Sequence, residues 1–265
     1  MGIATEVDTE IADDWHAALA ALAWEVEAGA DEAIGDAPIN RYELATETPK
    51  PLAAKPSSPP PTPDAGADPV AVAQAAAAGA ATLEALREAI AGFDLCDLKK
   101  GARNTVFADG NPKARVLILG EAPGAEEDRE GRPFVGRAGQ LLDRMFAAIS
   151  LSRGSPDAEN ALYITNVMPW RPPGNRDPEP AEIAMMLPFV QRHIALVDPL
   201  VIVVLGNTPL FALTGTRGIL RARGHWSQAL GKPLLPMTHP AYLLRNPSAK
   251  REAWADLLSL QQRLR

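Results

Sequence analysis

The sequence predicts an α/β fold in which helices cover both faces of a parallel sheet. Four short apolar runs, at 116–119, 161–166, 200–205 and 234–237, have the length and composition of buried strands. Segments with the helical spacing of apolar residues separate these runs along the chain. Buried strands that alternate with helices indicate a three-layer α/β/α domain built on a four-stranded parallel sheet.

The N-terminal third has a different composition and predicts a separate region. Residues 1–46 are predicted to form an acidic helical leader, and 47–69, with eight prolines, an extended linker to the α/β/α domain at 70–265. Residues 1–93 hold 16 Asp/Glu and 4 Lys/Arg, a net charge of −12, whereas 94–265 hold 17 and 22, a net charge of +5. This charge difference would let the leader dock on its own basic domain or on a protein partner; a satellite helix without a separate function is the alternative.

Composition also indicates the cellular compartment of the protein and the classes of partner that it can bind. Cys96 is the single cysteine, so no disulfide can form within the chain and a cytoplasmic location is expected. No apolar run reaches the length that spans a bilayer, so no membrane partner is expected. The net charge of −7 averages an acidic leader and a basic domain, and it does not exclude a nucleic-acid partner.

The connection after the first predicted strand, from Gly120 to Gly139, is unusually long. It is dense in glycine and carboxylates and contains one aromatic residue, Phe134, whereas most such loops run two to six residues. It lacks the Gly-Lys-Ser/Thr of a phosphate-binding loop. Because the carboxyl ends of parallel strands share one edge of a sheet, we expect this loop, Asn166 and His239 to converge on a pocket.

Two segments resemble motifs of the uracil-DNA glycosylase superfamily, in particular its family 4. The first is Gly-Glu-Ala-Pro-Gly at 120–124, followed by Glu-Asp at 127–128 and Gly-Arg-Pro-Phe-Val-Gly-Arg-Ala-Gly at 131–139. The second is His-Pro-Ala-Tyr-Leu-Leu-Arg at 239–245. The resemblance covers roughly residues 90–265. It implies a monomeric DNA-repair enzyme that flips uracil out of single- or double-stranded DNA and hydrolyses its N-glycosidic bond to leave an abasic site.

The resemblance also implies roles for individual residues in the base pocket. Phe134 would stack on the flipped base, and the Asn166 amide, which both donates and accepts, would read the uracil edge. A backbone cap is the ordinary alternative for an Asn at a strand end. His239 would donate to the base O2 as negative charge develops there, assisted by the backbone N–H groups of Glu121 and Ala122.

Roles in water activation and DNA contact follow from the same resemblance. Asn175 resembles an Asn that positions water, while Glu127 would either polarise water or wall off the methyl group of thymine. Leu243, Leu244 and Arg245 resemble the loop that enters the duplex, where an exposed apolar pair beside Arg suits a wedge with a phosphate contact. A helix-cap hydrophobic contact is the alternative for the two leucines.

Family 4 enzymes hold a 4Fe–4S cluster on four cysteines, and this chain departs from that pattern. The corresponding positions are Phe93, Cys96, Trp170 and Met186, so the sequence predicts that the iron–sulfur cluster is absent and that no metal or other cofactor is needed. The segment 171–178 contains no His, which argues against kinship with a subgroup that crosslinks covalently to DNA. The competing function is a protein of the same fold that binds damaged or abasic DNA with weak or no catalysis.

Overall fold

The computed structural model of the protein describes residues 68–265. The predicted leader and nearly all of the predicted linker lie outside these residues. Helix α1 begins at Pro69, and the Asp68 side chain caps it by accepting a hydrogen bond from the backbone N–H of Val70 at 3.1 Å. No helix among the described residues is both long and apolar enough to cross a membrane.

A six-stranded mixed sheet forms the centre of the domain. Its strands, in chain order, are β1 (Ala108–Gly110), β2 (Val116–Gly120), β3 (Leu162–Asn166), β4 (Val201–Leu205), β5 (Ser227–Ala229) and β6 (Lys232–Met237). Their spatial order is β1-β3-β2-β4-β6-β5. The inner four strands are parallel and the two edge strands pair antiparallel to their neighbours.

The four predicted strands and the α/β class are confirmed, and the predicted strand count is two too low. The edge strands β1 and β5 contain three residues each, most of them polar or small. A strand this short has no room for the alternation by which a half-buried strand is recognised in a sequence. Both edges therefore depend on pairing with a longer neighbour.

Helices cover both faces of the sheet and give three layers. In chain order they are α1 (Pro69–Gly79), α2 (Leu83–Ala91), α3 (Leu98–Gly101), α4 (Ala125–Glu130), α5 (Arg137–Ala147), α6 (Pro180–Val197), α7 (Asn207–Thr214), α8 (Ile219–Ala222), α9 (Pro240–Arg245) and α10 (Lys250–Leu264). Alternate residues of β2 enter two different cores. Leu117 and Leu119 pack with α1, α2 and α6, whereas Val116 and Ile118 pack with α5 and α10.

Several segments of the domain contain short helices. The Ala-rich segment 69–93 forms two helices, because the side chain of Thr82 caps a new helix by accepting a hydrogen bond from Ala85 N at 3.2 Å. The long loop after β2 contains helix α4, whose acidic first turn suits the positive end of the helix dipole. The basic segment 214–226 and the segment after His239 likewise contain short helices, α8 and α9.

Candidate active site

A cavity of about 610 Å³ opens at the carboxyl edge of the sheet. The residues that follow β2, β3, β4 and β6 all contribute to its wall. Eight of the ten predicted site residues line it, namely Glu121, Ala122, Glu127, Phe134, Asn166, Asn175, His239 and Arg245. Leu243 and Leu244 are not part of this lining. The predicted convergence of distant segments on one pocket is therefore what the structure shows.

Phe134 is held in the cavity wall by an unusual backbone conformation. Its φ of 54° lies in the left-handed region, which is rare for an aromatic residue. The guanidinium of Arg153 stabilises this conformation by donating to the carbonyl oxygens of Pro133 and Phe134 at 2.8 and 2.9 Å. Gly139 admits the same carbonyl, because a Cβ there would lie 1.8 Å from the Phe134 oxygen. The ring that is expected to stack on a base is therefore fixed before any ligand arrives.

Glu127 organises the loop that carries Phe134. One carboxylate oxygen accepts from the backbone N–H groups of Val135 and Gly136 at 2.9 and 3.0 Å, and the other accepts from Gly124 N at 3.1 Å. Three charge-assisted hydrogen bonds occupy both oxygens. Glu127 thus links the N-terminus of α4 to the N-terminus of α5 and positions the loop between them. The sequence did not reveal this role.

Asn166, at the end of β3, presents an amide with no partner in the described structure. The residue is 7% exposed, and its side-chain Oδ1 is buried without a hydrogen bond. The hydroxyl oxygen of Thr238, another residue of the cavity wall, is buried and unpaired as well. Buried polar atoms normally have partners, so an unpaired amide oxygen and an unpaired hydroxyl in one cavity wall indicate a polar ligand that pairs with them.

Gly120 makes the approach of Asn166 to Phe134 possible. A Cβ at this position would lie 2.3 Å from Asn166 Oδ1 and 2.6 Å from Phe134 Cε2. Both distances are well inside van der Waals contact. The first glycine of the loop is therefore a steric requirement of the pocket as well as the end of a strand.

His239 follows β6 and faces the ring of Phe134, with ring centroids 5.5 Å apart. Its Nδ1 accepts a hydrogen bond from Ala241 N at 3.1 Å and so caps α9. Burial, with the positive charge of Arg245 as a smaller cause, lowers the pKa of His239 to about 4. The imidazole is therefore neutral at pH 7, and because Nδ1 is an acceptor, Nε2 carries the proton. This leaves Nε2–H as a donor for a ligand.

Glu121 lies in the cavity wall beside Thr208, whose hydroxyl donates to the Glu121 carboxylate. Burial raises the pKa of Glu121, the Thr208 hydrogen bond opposes that shift, and the negative charge of Asp177 adds to it. The backbone carbonyl of Glu121 accepts from Met168 N at 2.9 Å, which ties the loop to the segment after β3. The Glu121 side chain is thus a polar wall element, whereas the sequence assigned only its backbone.

The remaining predicted residues divide between the cavity rim and the core. Asn175 is exposed at the rim, and its side-chain oxygen accepts from Arg171 Nε at 2.8 Å. Arg245 is exposed in the cavity wall, and Leu244 is partly buried. The expectation of an exposed Leu243–Leu244 pair is wrong for Leu243, which is 0% exposed because helix α9 turns it into a small core with Leu141 and Ala253.

The residues at the positions of the family 4 cluster ligands are packed as core. Phe93, Cys96, Trp170 and Met186 are each at most 4% exposed and belong to one hydrophobic cluster. Trp170 Nε1 donates to the hydroxyl of Thr105 at 3.0 Å, so the N–H of the buried indole has a hydrogen-bond partner. Within 68–265 the structure has no group of three or more His, Cys, Asp or Glu side chains that could hold a metal ion. A 4Fe–4S cluster needs four cysteine ligands, and only one of these four positions holds a cysteine. The residues present therefore do not fit the cluster.

Comparison with known proteins agrees with this geometry. The model of the uracil DNA glycosylase superfamily matches residues 107–258. A type-4 uracil-DNA glycosylase of Thermotoga maritima is 40% identical over 169 residues, which cover 63% of this chain and 85% of the relative. One of Sulfurisphaera tokodaii is 36% identical over 191 residues, or 68% of this chain and 84% of the relative. A type-5 uracil-DNA glycosylase of Thermus thermophilus is 31% identical over 145 residues, or 49% and 66%. The chain therefore belongs to the uracil DNA glycosylase superfamily.

Proposed function

We propose that this protein is a DNA-repair glycosylase that flips uracil out of DNA and hydrolyses its N-glycosidic bond, leaving an abasic site. The observation that carries the proposal is the buried, unpaired amide oxygen of Asn166, a residue that lines the same cavity as Phe134 and His239 with its free Nε2–H. Base excision requires stacking on the flipped base, recognition of its edge and stabilisation of the leaving group, together with a positioned water. The relatives named type-4 uracil-DNA glycosylases support the assignment to uracil.

The proposal gives one step to each of these side chains. Phe134 stacks on the extruded base, and the Asn166 amide pairs with the uracil N3–H and O4. As the bond to the sugar breaks, negative charge grows on the base and positive charge on the sugar. A neutral donor in a preorganised, dehydrated site stabilises that negative charge without having to give up its proton, and His239 Nε2–H is this donor.

Water positioning is assigned to Asn175 in preference to Glu127. Both oxygens of Glu127 already accept backbone hydrogen bonds, whereas the Asn175 side chain is exposed at the rim. Its contact with Arg171 uses the amide oxygen and leaves the NH₂ group for water. The substrate is proposed to be uracil-containing DNA, single- or double-stranded, and a cytoplasmic location is supported by the low cysteine content.

Cleavage of a defined oligonucleotide tests the proposal. The protein is incubated with a strand that contains one uracil, alone and in a duplex, and abasic sites are then converted to breaks with alkali. We expect strand scission at the uracil only, with an otherwise identical thymine strand left intact. Stoichiometric retention of intact uracil DNA without scission would instead establish the competing binding function.

The proposal includes catalysis without an iron–sulfur cluster, which predicts a colourless protein. The three apolar side chains that replace cysteines fill the space with hydrophobic contacts. Purified protein should show no absorbance near 400 nm, as read against the 280 nm band, and EDTA should leave the cleavage rate unchanged. Stoichiometric iron in the purified protein would contradict this part of the proposal.

The lowered pKa of His239 predicts a specific pH dependence. A histidine with the ordinary pKa of 6.5 would protonate between pH 7 and 6, but His239 stays neutral until the pH approaches about 4. Protonation there would set Nδ1–H against the N–H of Ala241. The unfolded chain takes up this proton first, so the stability contributed by the neutral ring is lost as the pH falls from 6.5 towards 4.

Single-turnover cleavage rates between pH 8 and 5 measure this dependence. We expect no inflection from His239 near pH 6.5. Glu121 also titrates in the cavity with a raised pKa, and the variant Glu121→Gln removes that group. An inflection near pH 6.5 that persists in Glu121→Gln would show that His239 ionises there and would refute the assignment of a neutral donor.

A further inference from the structure

Leu220 is an exposed apolar side chain at the mouth of the cavity. It is 56% exposed and belongs to the cavity lining, whereas Leu243 is completely buried. When a base leaves a duplex, an apolar side chain that fills the gap keeps the base from returning. Three conditions favour a residue for this role: it is apolar, it is exposed beside the base pocket, and its backbone is supported. Leu243 fails the second condition, and Leu220 meets it.

The segment that carries Leu220 is fixed at both ends. At its start, the Asn207 side-chain oxygen accepts from the backbone N–H groups of Gly218 and Ile219 at 3.1 and 2.9 Å. Ile219 is buried and anchors helix α8 in the core. At the other end, Arg223 forms an ion pair with Asp256 and donates to the carbonyl of Glu252 at 2.9 Å. Leu220 therefore projects from a supported turn.

The charge around Leu220 suits a polyanion. Residues 199–251 contain seven Lys/Arg and no Asp or Glu. The ion pairs of this stretch that the structure describes involve Arg223 and Lys232, which bind carboxylates from outside it. Arg217 and Arg221, on either side of Leu220, are in none of these pairs. Two cations beside an exposed leucine match a duplex, which offers phosphates beside an apolar base stack.

We propose that Leu220 is the wedge that enters the base stack of double-stranded DNA and fills the space vacated by the uracil, with Arg217 and Arg221 on the flanking phosphates. This role presupposes the glycosylase function proposed above and concerns duplex substrates alone. In single-stranded DNA no paired base closes the gap, so a wedge has nothing to hold open. The dependence on strand state is therefore the signature of the role.

Single-turnover cleavage of uracil in a duplex and in the same single strand tests the proposal in Leu220→Ala. We expect the duplex rate to fall about tenfold or more, as the loss of most of a buried leucine side chain implies, and the single-strand rate to stay within about twofold. Leu220→Met should restore most of the duplex rate because it restores bulk. The matched control is Leu200→Ala, since Leu200 is also 56% exposed but lies at the opposite, amino edge of the sheet.

Two cleavage results would overturn the proposal: an unchanged duplex rate in Leu220→Ala, or equal losses on duplex and single strand. A wild-type protein that cleaves neither substrate would refute the glycosylase function and still leave the wedge measurable. In that case, binding to a duplex with an abasic site and 2-aminopurine opposite it reports insertion by fluorescence. Equal affinity and equal fluorescence for wild type and Leu220→Ala would then refute the wedge.

Discussion

The variant His239→Ala is expected to cleave uracil from DNA about 100- to 1,000-fold more slowly than the wild type. The reason is the loss of the free, neutral Nε2–H donor beside Phe134, at the stage when the leaving base becomes negative. Affinity for an abasic product should change little, because the product lacks the base to which His239 donates. Single-turnover rates and abasic-duplex affinities, measured side by side, separate the two effects.

Removal of an exposed histidine provides the control for His239→Ala. His225 contacts the carbonyl of Arg223 within its own loop and does not belong to the cavity lining, so His225→Ala should cleave at the wild-type rate. A wild-type rate in His239→Ala would show that His239 serves only as the cap of α9. Equal losses of cleavage and of abasic-DNA affinity would point to a collapsed site and would also contradict the assignment.

The variant Gly120→Ala should lose about as much activity as Asn166→Ala, which lacks the amide that is proposed to recognise the uracil edge. The new methyl group overlaps Asn166 Oδ1 and the edge of the Phe134 ring, and the backbone of each is fixed, by the sheet and by Arg153. One or both side chains must leave the base site. Loss of a paired donor and acceptor in a buried site costs about 2–4 kcal/mol, or roughly 30- to 1,000-fold in rate.

A double variant distinguishes displacement of the Asn166 amide from a general disruption of the site. If Gly120→Ala acts through Asn166, combining it with Asn166→Ala should cost much less than the product of the two separate losses. Gly79→Ala is the matched control, because a Cβ at Gly79 meets nothing within 4 Å. Fully multiplicative losses, or a Gly120→Ala protein with wild-type activity, would contradict this account of the pocket.

The sequence predicted the inner sheet well because its strands are buried on both faces. A run such as 201–205 is apolar throughout, and its environment follows from composition alone. The short helix α4 was missed because a six-residue segment with four carboxylates resembles a loop; its stability depends on Glu127, which binds backbone groups up to nine residues away. Leu243 was misplaced because six residues of helix determine the direction of its side chain.

The site was predictable where a residue itself lines the cavity, and not where it acts through another residue. Phe134 and His239 lie in the two motifs, Asn166 lies at the end of a predicted strand, and all three line the cavity. Arg153 lies outside both motifs, and its role appears only once the chain has folded and its guanidinium reaches two carbonyls 19 and 20 residues away. The partnership of Thr208 with Glu121 spans 87 residues and has no local signal.

The Arg153 interaction has a consequence for the order in which heat disables the protein. The same guanidinium binds Asp109 at 3.1 Å, so the conformation of Phe134 is coupled to β1, a three-residue strand at the edge of the sheet. Edge segments with few backbone hydrogen bonds open at a lower free energy than the core does. Local fraying of β1 would release Arg153, and Phe134 could then leave its left-handed backbone conformation while the inner strands remain paired. Thermal inactivation should therefore precede global unfolding, because the edge strand β1 opens first.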